Sequence, residues 1–250
     1  MRLCLTALLL MEAMASSVGA ADIAAPPAAP ASSDKGGSFD WLCHGLPQDG
    51  IWGPPPSTFP ADIKKCAGTF YLGIQNNTSQ ANIFGLSRFA APYAYQFGDS
   101  YFISGSFSRT IAEVGPYISY ELEAGAGQRF GSLHEEEVWL AFYARWKYFP
   151  WNDYVRTTVA ASTGVNYASA IPQYEVISSG NNQGQRLLHY FSPELTLGLP
   201  SMPDPDFVIR SHHRSGGGQF FGDNFPGYGP LFHGVKGGVQ YLTFGIRQHF

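Results

Sequence analysis

Two stretches near the end of the chain decide the fold: Phe207-Val-Ile-Arg-Ser-His-His-Arg-Ser215 and Gly238-Val-Gln-Tyr-Leu-Thr-Phe-Gly-Ile-Arg-Gln-His-Phe250. Side chains alternate along a β-strand, so one face of the first stretch is largely apolar while the other gathers the charges. The charged face carries Val208, Arg210, His212 and Arg214. The second stretch alternates in the same way and ends on an aromatic residue. This pattern predicts the last two strands of an outer-membrane β-barrel.

Upstream of these strands, segments with a period of two residues recur between turn signals. We count eight segments, at about 68–75, 99–109, 115–129, 135–148, 155–167, 187–199, 206–215 and 238–250. The three longest connections, 76–98, 168–186 and 216–237, all fall on one side of the sheet if both termini are periplasmic. A soluble sandwich gives no reason for that asymmetry, whereas outer-membrane barrels have short periplasmic turns and long outer loops. The sequence therefore predicts an all-β fold, an eight-stranded antiparallel transmembrane β-barrel over residues 67–250.

The first 66 residues differ in composition from the barrel. Residues 1–20 contain Arg2, an apolar run and then small residues, which predicts a secretory signal peptide. Residues 21–66 are rich in Ala, Pro and Gly and are predicted to form a periplasmic tether and a small cap. Of the three cysteines, Cys43 and Cys66 remain after cleavage of the signal. An oxidising compartment favours a disulfide between them; the alternative, which the spacing alone does not exclude, is two unrelated reduced thiols.

The amino-acid composition limits the classes of molecule that the protein is expected to bind. The formal charge of −4 provides no basic surface for nucleic acid, so we expect none to bind. Charged residues make up 14% of the chain and aromatic residues 15%, a balance typical of proteins whose side chains meet lipid. His212 and His213 are consecutive on a strand and face opposite ways, so they do not share a metal ion. We expect neither a metal nor a cofactor.

Charged residues on the predicted strands fall largely on one face. We expect ion pairs that fill a narrow lumen, formed by Glu121, Glu123, Arg145, Lys147, Glu194, Arg210 and Arg214. Three consecutive acids, Glu135, Glu136 and Glu137, are interpreted as a solvated rim at a loop edge. Their alternative role is to bind divalent cations that bridge lipopolysaccharide phosphates.

The pair His213-x-Ser215 carries the clearest chemical signal. Residues two apart on a strand project from the same face, and an imidazole beside a hydroxyl can take its proton and make Ser an effective nucleophile. The face is shared with Phe207 and Ile209, so it is predicted to meet lipid. A polar pair there is costly, which favours a role in acting on a membrane component. The alternative is that both residues lie at headgroup level and bind only water or lipid.

The segment 209–216, with the final strand 238–250, resembles the C-terminal signature of the outer-membrane lipid A 3-O-deacylase (PagL-type) family. The resemblance implies an eight-stranded barrel whose membrane-facing His-x-Ser pair hydrolyses the ester-linked acyl chain at the 3 position of lipid A. Carried over to this sequence, His213 is the base and Ser215 the nucleophile. The family has a Glu early in the last strand that orients the His, and the matching residue here is Gln240. Its amide oxygen can still accept the imidazole N–H, and Asp223 is an alternative source of negative charge.

From these residues we predict a monomeric serine esterase of the bacterial outer membrane that removes an ester-linked acyl chain from lipid A. Its partner is lipid A of lipopolysaccharide in the outer leaflet. Backbone N–H groups of Gly216, Gly217 and Gly218 are candidates for an oxyanion hole. The rival interpretation is a non-catalytic outer-membrane barrel, such as an adhesin, a surface-protection protein or a structural porin-like protein. A periplasmic β-rich binding protein is a third alternative, which the loop lengths disfavour.

Overall fold

The computed structural model describes Cys43 and residues 65–83, 91–178, 183–216, 232, 235 and 237–250. Its strands are β1 (Cys66–Asn76), β2 (Phe97–Val114), β3 (Ile118–Gly131), β4 (Glu136–Trp146), β5 (Arg156–Ala168), β6 (Leu187–Phe191), β7 (Glu194–Gly198), β8 (Pro205–Ser215) and β9 (Gly238–His249). Two short helices, α1 (Gln80–Ile83) and α2 (Gln173–Ser178), and a 3-10 turn at Pro92–Ala94 lie in the connections. The predicted signal peptide, and the tether and cap apart from Cys43, Lys65 and Cys66, lie outside the described residues.

The strands close into a ring. Each strand from β1 to β5 pairs with the next, β9 pairs with β1 and with β8, and β6 and β7 both bridge β5 to β8. All of these pairings are antiparallel. Because β6 and β7 occupy one position in the ring, the sheet has eight positions and no free edge. The prediction of an eight-stranded antiparallel barrel is confirmed.

The predicted strand 187–199 is divided at Ser192 and Pro193, where the structure differs from the sequence prediction. Proline has no N–H to donate to a ladder, so a strand is interrupted there. The amide of Ser192 instead donates to Ser162 Oγ at 2.8 Å, and the carbonyl of Pro193 accepts from the amide of Ser211 at 3.0 Å. The pairing with β8 keeps the same register on both sides of the break, so alternation along β8 is undisturbed.

The outer surface of the barrel is apolar. Exposed large apolar side chains occur on strands around the ring and include Phe70, Leu72, Tyr101, Ile103, Leu122, Leu140, Phe142, Val159, Val165, Phe207, Phe244 and Ile246. Near the periplasmic turns, Tyr117 stacks on Trp146 with ring centroids 5.8 Å apart, as in the aromatic girdles of membrane barrels. The closed sheet leaves no strand edge unpaired in lipid, so this surface identifies an outer-membrane barrel. No helix among the described residues is long and apolar enough to cross a membrane.

The lumen is filled by buried ion pairs. Three carboxylates and three guanidinium groups form one network, made of Glu121, Glu123, Glu194, Arg145, Arg210 and Arg247. Arg210 contacts Glu123 at 2.7 Å and Glu194 at 2.5 Å. The predicted filling of the lumen by ion pairs is therefore confirmed, with Arg247 as an unpredicted member.

Two residues assigned to this network lie elsewhere. Lys147 pairs with Glu113 at 2.5 Å, near the periplasmic end of the barrel. Arg214 lies at the opposite, outer mouth, 3.6 Å from Glu175 of α2. Alternation along a strand determines which face a side chain lies on. It does not determine the height of that side chain in the barrel or its partner.

The interpretation of the three consecutive acids as a solvated rim is wrong for Glu135 and Glu137, which are buried at the outer mouth. Arg129 contacts Glu135 at 3.4 Å and also binds Glu137. His212 binds Glu137 through Nε2, and its Nδ1 lies 3.0 Å from the Tyr190 hydroxyl. In β4, which begins at Glu136, the odd-numbered side chains are buried and face the lumen. Glu137 is the first of these side chains.

The barrel closes at its periplasmic end beside a disulfide. Cys43 and Cys66 are joined, with their Cα atoms 5.2 Å apart. Cys66 begins β1, and its amide and carbonyl bond the carbonyl and amide of Phe250 at 3.3 and 3.0 Å. The disulfide thus ties Cys43 to the point where the first and last strands meet.

Candidate active site on the outer face of the barrel

His213 and Ser215 lie on the outward face of β8, close to its outer end. Both side chains are half-buried, while their neighbours His212 and Arg214 face the lumen. In the ladders, His213 lies between Phe191 of β6 and Gln240 of β9. Ser215 lies between His189 of β6 and Gly238 of β9. The structure therefore brings together the three residues carried over from the resemblance.

Gly238 lies beside the side chains of both His213 and Ser215. A methyl group on its Cα would lie 2.7 Å from Ser215 Cβ and 3.2 Å from His213 Cε1. The ring of His213 therefore leans along the strand towards the level of Ser215. Any side chain at position 238 would push the two residues apart, because such contacts are closer than van der Waals separation. The absence of a side chain at Gly238 therefore leaves room for both His213 and Ser215.

Gln240 is held in a defined orientation. Its amide nitrogen donates to the carbonyl oxygen of Thr78, in the connection after β1. A carbonyl oxygen only accepts, so the nitrogen of the amide must face Thr78 and the amide oxygen must face away. Gln240 Oε1 and His213 Nδ1 are both buried, and the side chains of the two residues interact with each other. The two groups are a matched acceptor and donor on directly opposed residues.

The connection between β1 and β2 covers one side of the site. Besides the contact of Thr78 with Gln240, Gln80 of α1 donates to Ser211 Oγ at 2.9 Å. Both Thr78 and Gln80 are buried, although they belong to a connection and not to a strand. Residues 78–80 therefore lie on the outer wall of β8 and β9 just below His213, where they replace lipid with polar protein.

The other side of the site contains a second imidazole, His189, which the sequence analysis missed. Its Nε2 lies 3.0 Å from Thr163 Oγ1 on β5, and its ring lies 6.3 Å from that of Phe232. One signal was available in the sequence, since His189 shares its parity with Leu187 and Phe191 on the outward face. The register that sets it opposite Ser215 is a property of the sheet.

The lumen side of β8 fixes the site from within. Arg214, between His213 and Ser215, donates to Asn166 Oδ1 at 3.1 Å and to the carbonyls of Gln185 and Arg186 at 2.6 and 3.0 Å. It thereby ties the connection between β5 and β6 to β8. The same connection places Glu175 of α2 in the outer mouth, where burial raises the pKa of its carboxyl to about 7 despite the nearby Arg214.

The remaining predicted site residues are only partly described. Gly216 is buried and lies against the backbone of Val235, which precedes β9. Gly217, Gly218 and Asp223 lie outside the described residues. Within the described part of the chain, no three His, Cys, Asp or Glu side chains are grouped as metal ligands.

The similarity of this chain to known proteins is one of fold. No family model matches the chain, and no curated protein matches it in sequence. The crystal structure of the outer-membrane enzyme PagL is 10% identical, covers 73% of this chain and 99% of its own, and has a TM-score of 0.45. Neisserial surface protein A is 8% identical, with 74% and 96% coverage and a TM-score of 0.38. The N-terminal β-barrel domain of Pseudomonas aeruginosa OprF is 10% identical, with 75% and 99% coverage and a TM-score of 0.38.

Proposed function

We propose that this protein is an outer-membrane serine esterase that removes an ester-linked acyl chain from lipid A. The observation that carries the proposal is that the side chains of His213 and Ser215 both lie against Gly238 on the lipid-facing surface. A base beside a hydroxyl, with a third group placed to orient the base, is the arrangement that activates a serine nucleophile.

The position of the pair limits the substrate. It lies at the end of β8 that leads into the longest outer connections, with Phe207 and Ile209 further along the same face towards the periplasm. A substrate must therefore present its ester at headgroup depth in the outer leaflet while its acyl chains stay in lipid. Lipid A has that geometry. The polar cluster around His213 and Ser215 thus lies at the depth at which such an ester would be presented.

The reaction proceeds through an acyl-enzyme. Ser215 Oγ attacks the carbonyl carbon of the ester while His213 takes the hydroxyl proton. The bond between the acyl carbon and the sugar oxygen then breaks, and the imidazolium returns the proton to that oxygen. A water molecule, deprotonated by His213, attacks the acyl-enzyme and releases the fatty acid and the free Ser215. The amide of Gly216 is a candidate donor to the oxyanion in both halves.

Gln240 supports this reaction by setting the tautomer of the base. With its nitrogen committed to Thr78, the amide presents an oxygen towards the ring. A bond from His213 Nδ1–H to that oxygen leaves Nε2 unprotonated, which is the form that accepts the proton of Ser215. A neutral amide stabilises the imidazolium less than a carboxylate does. The expected enzyme is therefore slower than one with an acid at this position.

A second candidate function is a non-catalytic barrel, and one observation favours it. Gln240 anchors the connection after β1 through Thr78, a structural task that a carboxylate cannot perform because it has no donor. In this alternative the residue serves the surface of the barrel, and His213 and Ser215 are residues at headgroup level. An adhesin or a surface-protection protein would have such a surface.

The deciding experiment measures the mass of lipid A from cells that make the wild-type protein, the Ser215→Ala variant or no protein. Ile209→Ala serves as a matched control, because Ile209 lies on the same face of the same strand and carries no polar group. Loss of one hydroxyacyl chain with the wild type and with Ile209→Ala, but not with Ser215→Ala, supports the esterase. Equal masses in all four samples would support the non-catalytic barrel.

A further inference from the structure

Ser215 lies beside two imidazoles, of which the proposed mechanism uses one. His213 is two residues earlier on the same strand. His189 is the residue directly opposite Ser215 in the pairing of β6 with β8, and both side chains leave the sheet on its outer face. The second imidazole therefore belongs to the same surface as the nucleophile.

The cross-strand neighbour is the nearer of the two at the level of the backbone. Directly opposed residues on one face of an antiparallel pair have Cβ atoms roughly 4.5–5.5 Å apart. Residues two apart on one strand are separated by about 6.5–7 Å, because each residue rises about 3.3 Å. His189 is thus placed to act on the orientation of the Ser215 side chain, while His213 reaches it by leaning towards Gly238.

The ring of His189 is fixed, as a positioning group requires. Its Nε2 lies 3.0 Å from Thr163 Oγ1, and Phe232 packs near the ring with centroids 6.3 Å apart. The side chain is 5% exposed. Thr163 lies on the outward face of β5, two residues before Val165, which is the residue opposite His189. The polar residues Thr163, His189 and Ser215 therefore cross three strands along a diagonal of an otherwise apolar surface.

We infer that His189 is a positioning residue for Ser215, with Thr163 holding its ring. The inference rests on the proposed function, since it concerns the same nucleophile. His189 restricts the serine to the rotamer that directs its hydroxyl towards His213, and it takes no proton in the reaction. Loss of the imidazole lowers the fraction of Ser215 that is correctly oriented, which slows turnover without weakening the binding of lipid A.

The test compares His189→Ala with two amide variants, His189→Asn and His189→Gln, which keep polar groups at the levels of Nδ1 and Nε2. Val165→Ala is the matched control, because Val165 lies directly opposite His189 on β5 and has no polar group. Hydrolysis of lipid A gives kcat and KM. Labelling of Ser215 by a fluorophosphonate, followed by mass spectrometry, reports the reactivity of the serine with a small probe that does not use the lipid-binding surface.

We expect His189→Ala to lower kcat and the labelling rate roughly 10- to 100-fold with little change in KM, because small misplacements of reacting groups have effects of that size. At least one amide variant should recover part of the rate, and Val165→Ala should resemble the wild type. Thr163→Val should lower the rate when His189 is present. It should have no further effect in the His189→Ala variant, because Thr163 acts through the ring of His189.

Two results would overturn the inference, and they are distinguishable. If Ser215 is labelled and lipid A is hydrolysed at the wild-type rate by His189→Ala, the positioning role is wrong and the esterase stands. If wild-type Ser215 is not labelled and lipid A is not cleaved, the proposed function fails and the inference fails with it.

Discussion

The two faces of β8 carry different kinds of polar residue. On the inner face, Arg210 is saturated, with bonds to both oxygens of Glu123 at 2.8 and 2.7 Å and to Glu194. On the outer face, His213 Nδ1 and Gln240 Oε1 are buried on directly opposed residues as a matched donor and acceptor. Buried polar groups are normally paired, and this is the pair on which the proposed orientation of the base depends. The inner face of β8 thus carries an ion-pair network, and the outer face carries the candidate site.

The ion-pair network in the lumen holds β8 in place, and β8 is the strand that carries the candidate site. Residues 210, 212 and 214 alternate with 211, 213 and 215, so each inner bond also constrains the outer residue beside it. Sites carried on rigid elements hold their geometry better than sites on loops.

The largest contrast is expected between the adjacent histidines. His213→Ala should lower hydrolysis roughly a thousandfold, because a nucleophile and its base act as a unit. The stability of the barrel should change by less than about 0.5 kcal/mol, as for surface substitutions. The measurements are lipid A hydrolysis and the temperature at which the folded band is lost on an unheated gel.

The matched variant on the inner face is His212→Ala. His212 binds Glu137 and Tyr190 and is buried between aromatic rings, so its loss should lower the melting temperature. Equal losses of activity in the two variants, with equal melting temperatures, would contradict the division of β8 into a structural and a functional face.

The second prediction breaks the lumen network. Arg210→Met leaves Glu123 without its guanidinium partner and Glu194 with Arg145 and Arg247, and removal of one partner from a buried ion pair costs about 3–5 kcal/mol. We expect a lower urea midpoint for unfolding in detergent or vesicles. Lys147→Met is the control, because the pair of Lys147 with Glu113 lies at the periplasmic edge and is partly exposed. An unchanged midpoint for Arg210→Met would show that the network is not what holds the strand.

The third prediction concerns Gln240→Glu. A carboxylate should stabilise the imidazolium of His213 and raise the rate up to about tenfold, since nearby opposite charge favours the protonated ring. It also faces the carbonyl of Thr78 with a second acceptor, so residues 77–83 should lose protection from hydrogen exchange. If neither the rate nor the exchange changes, Gln240 contributes neither to the base nor to the anchoring of that connection.

The smallest effect concerns pH at the outer mouth. The pKa of Glu175 is raised from 4.5 to about 7 by burial, so docking of α2 is most favourable below the ordinary pKa of glutamate. That contribution is lost as pH rises through about 7, because the carboxylate must then lie ionised among Arg214, Arg129, Glu135 and Glu137. Hydrogen exchange of α2, normalised to an unstructured peptide, should increase between about pH 5 and about pH 8 beyond the intrinsic chemistry.

Glu175→Gln is the control for this pH dependence. The amide does not ionise, so the normalised exchange of α2 should be flat over the same range of pH. A wild type that is also flat would show that the pairing with Arg214 fully offsets the burial of the carboxylate.

The sequence made the strands predictable because alternation is local. Period-two patterns located all eight positions of the ring, and the parity of Phe207 and Ile209 placed His213 and Ser215 on the outer face. Pro193 is the exception, since a missing amide divides one predicted strand. Charge on the inner face was also local information, and it identified Glu121, Glu123, Arg145, Glu194 and Arg210 as luminal.

The contacts of these side chains could not be predicted from alternation. They depend on the register between strands and on where the connections fold. Alternation of side chains along a strand is enough to predict an all-β chain with one apolar and one charged face. Pairing between distant strands was needed to show that His189 lies opposite Ser215, that Gly238 leaves room for His213, and that Thr78 orients Gln240. These are contacts between residues far apart in the chain, and closure of the barrel is what brings them together.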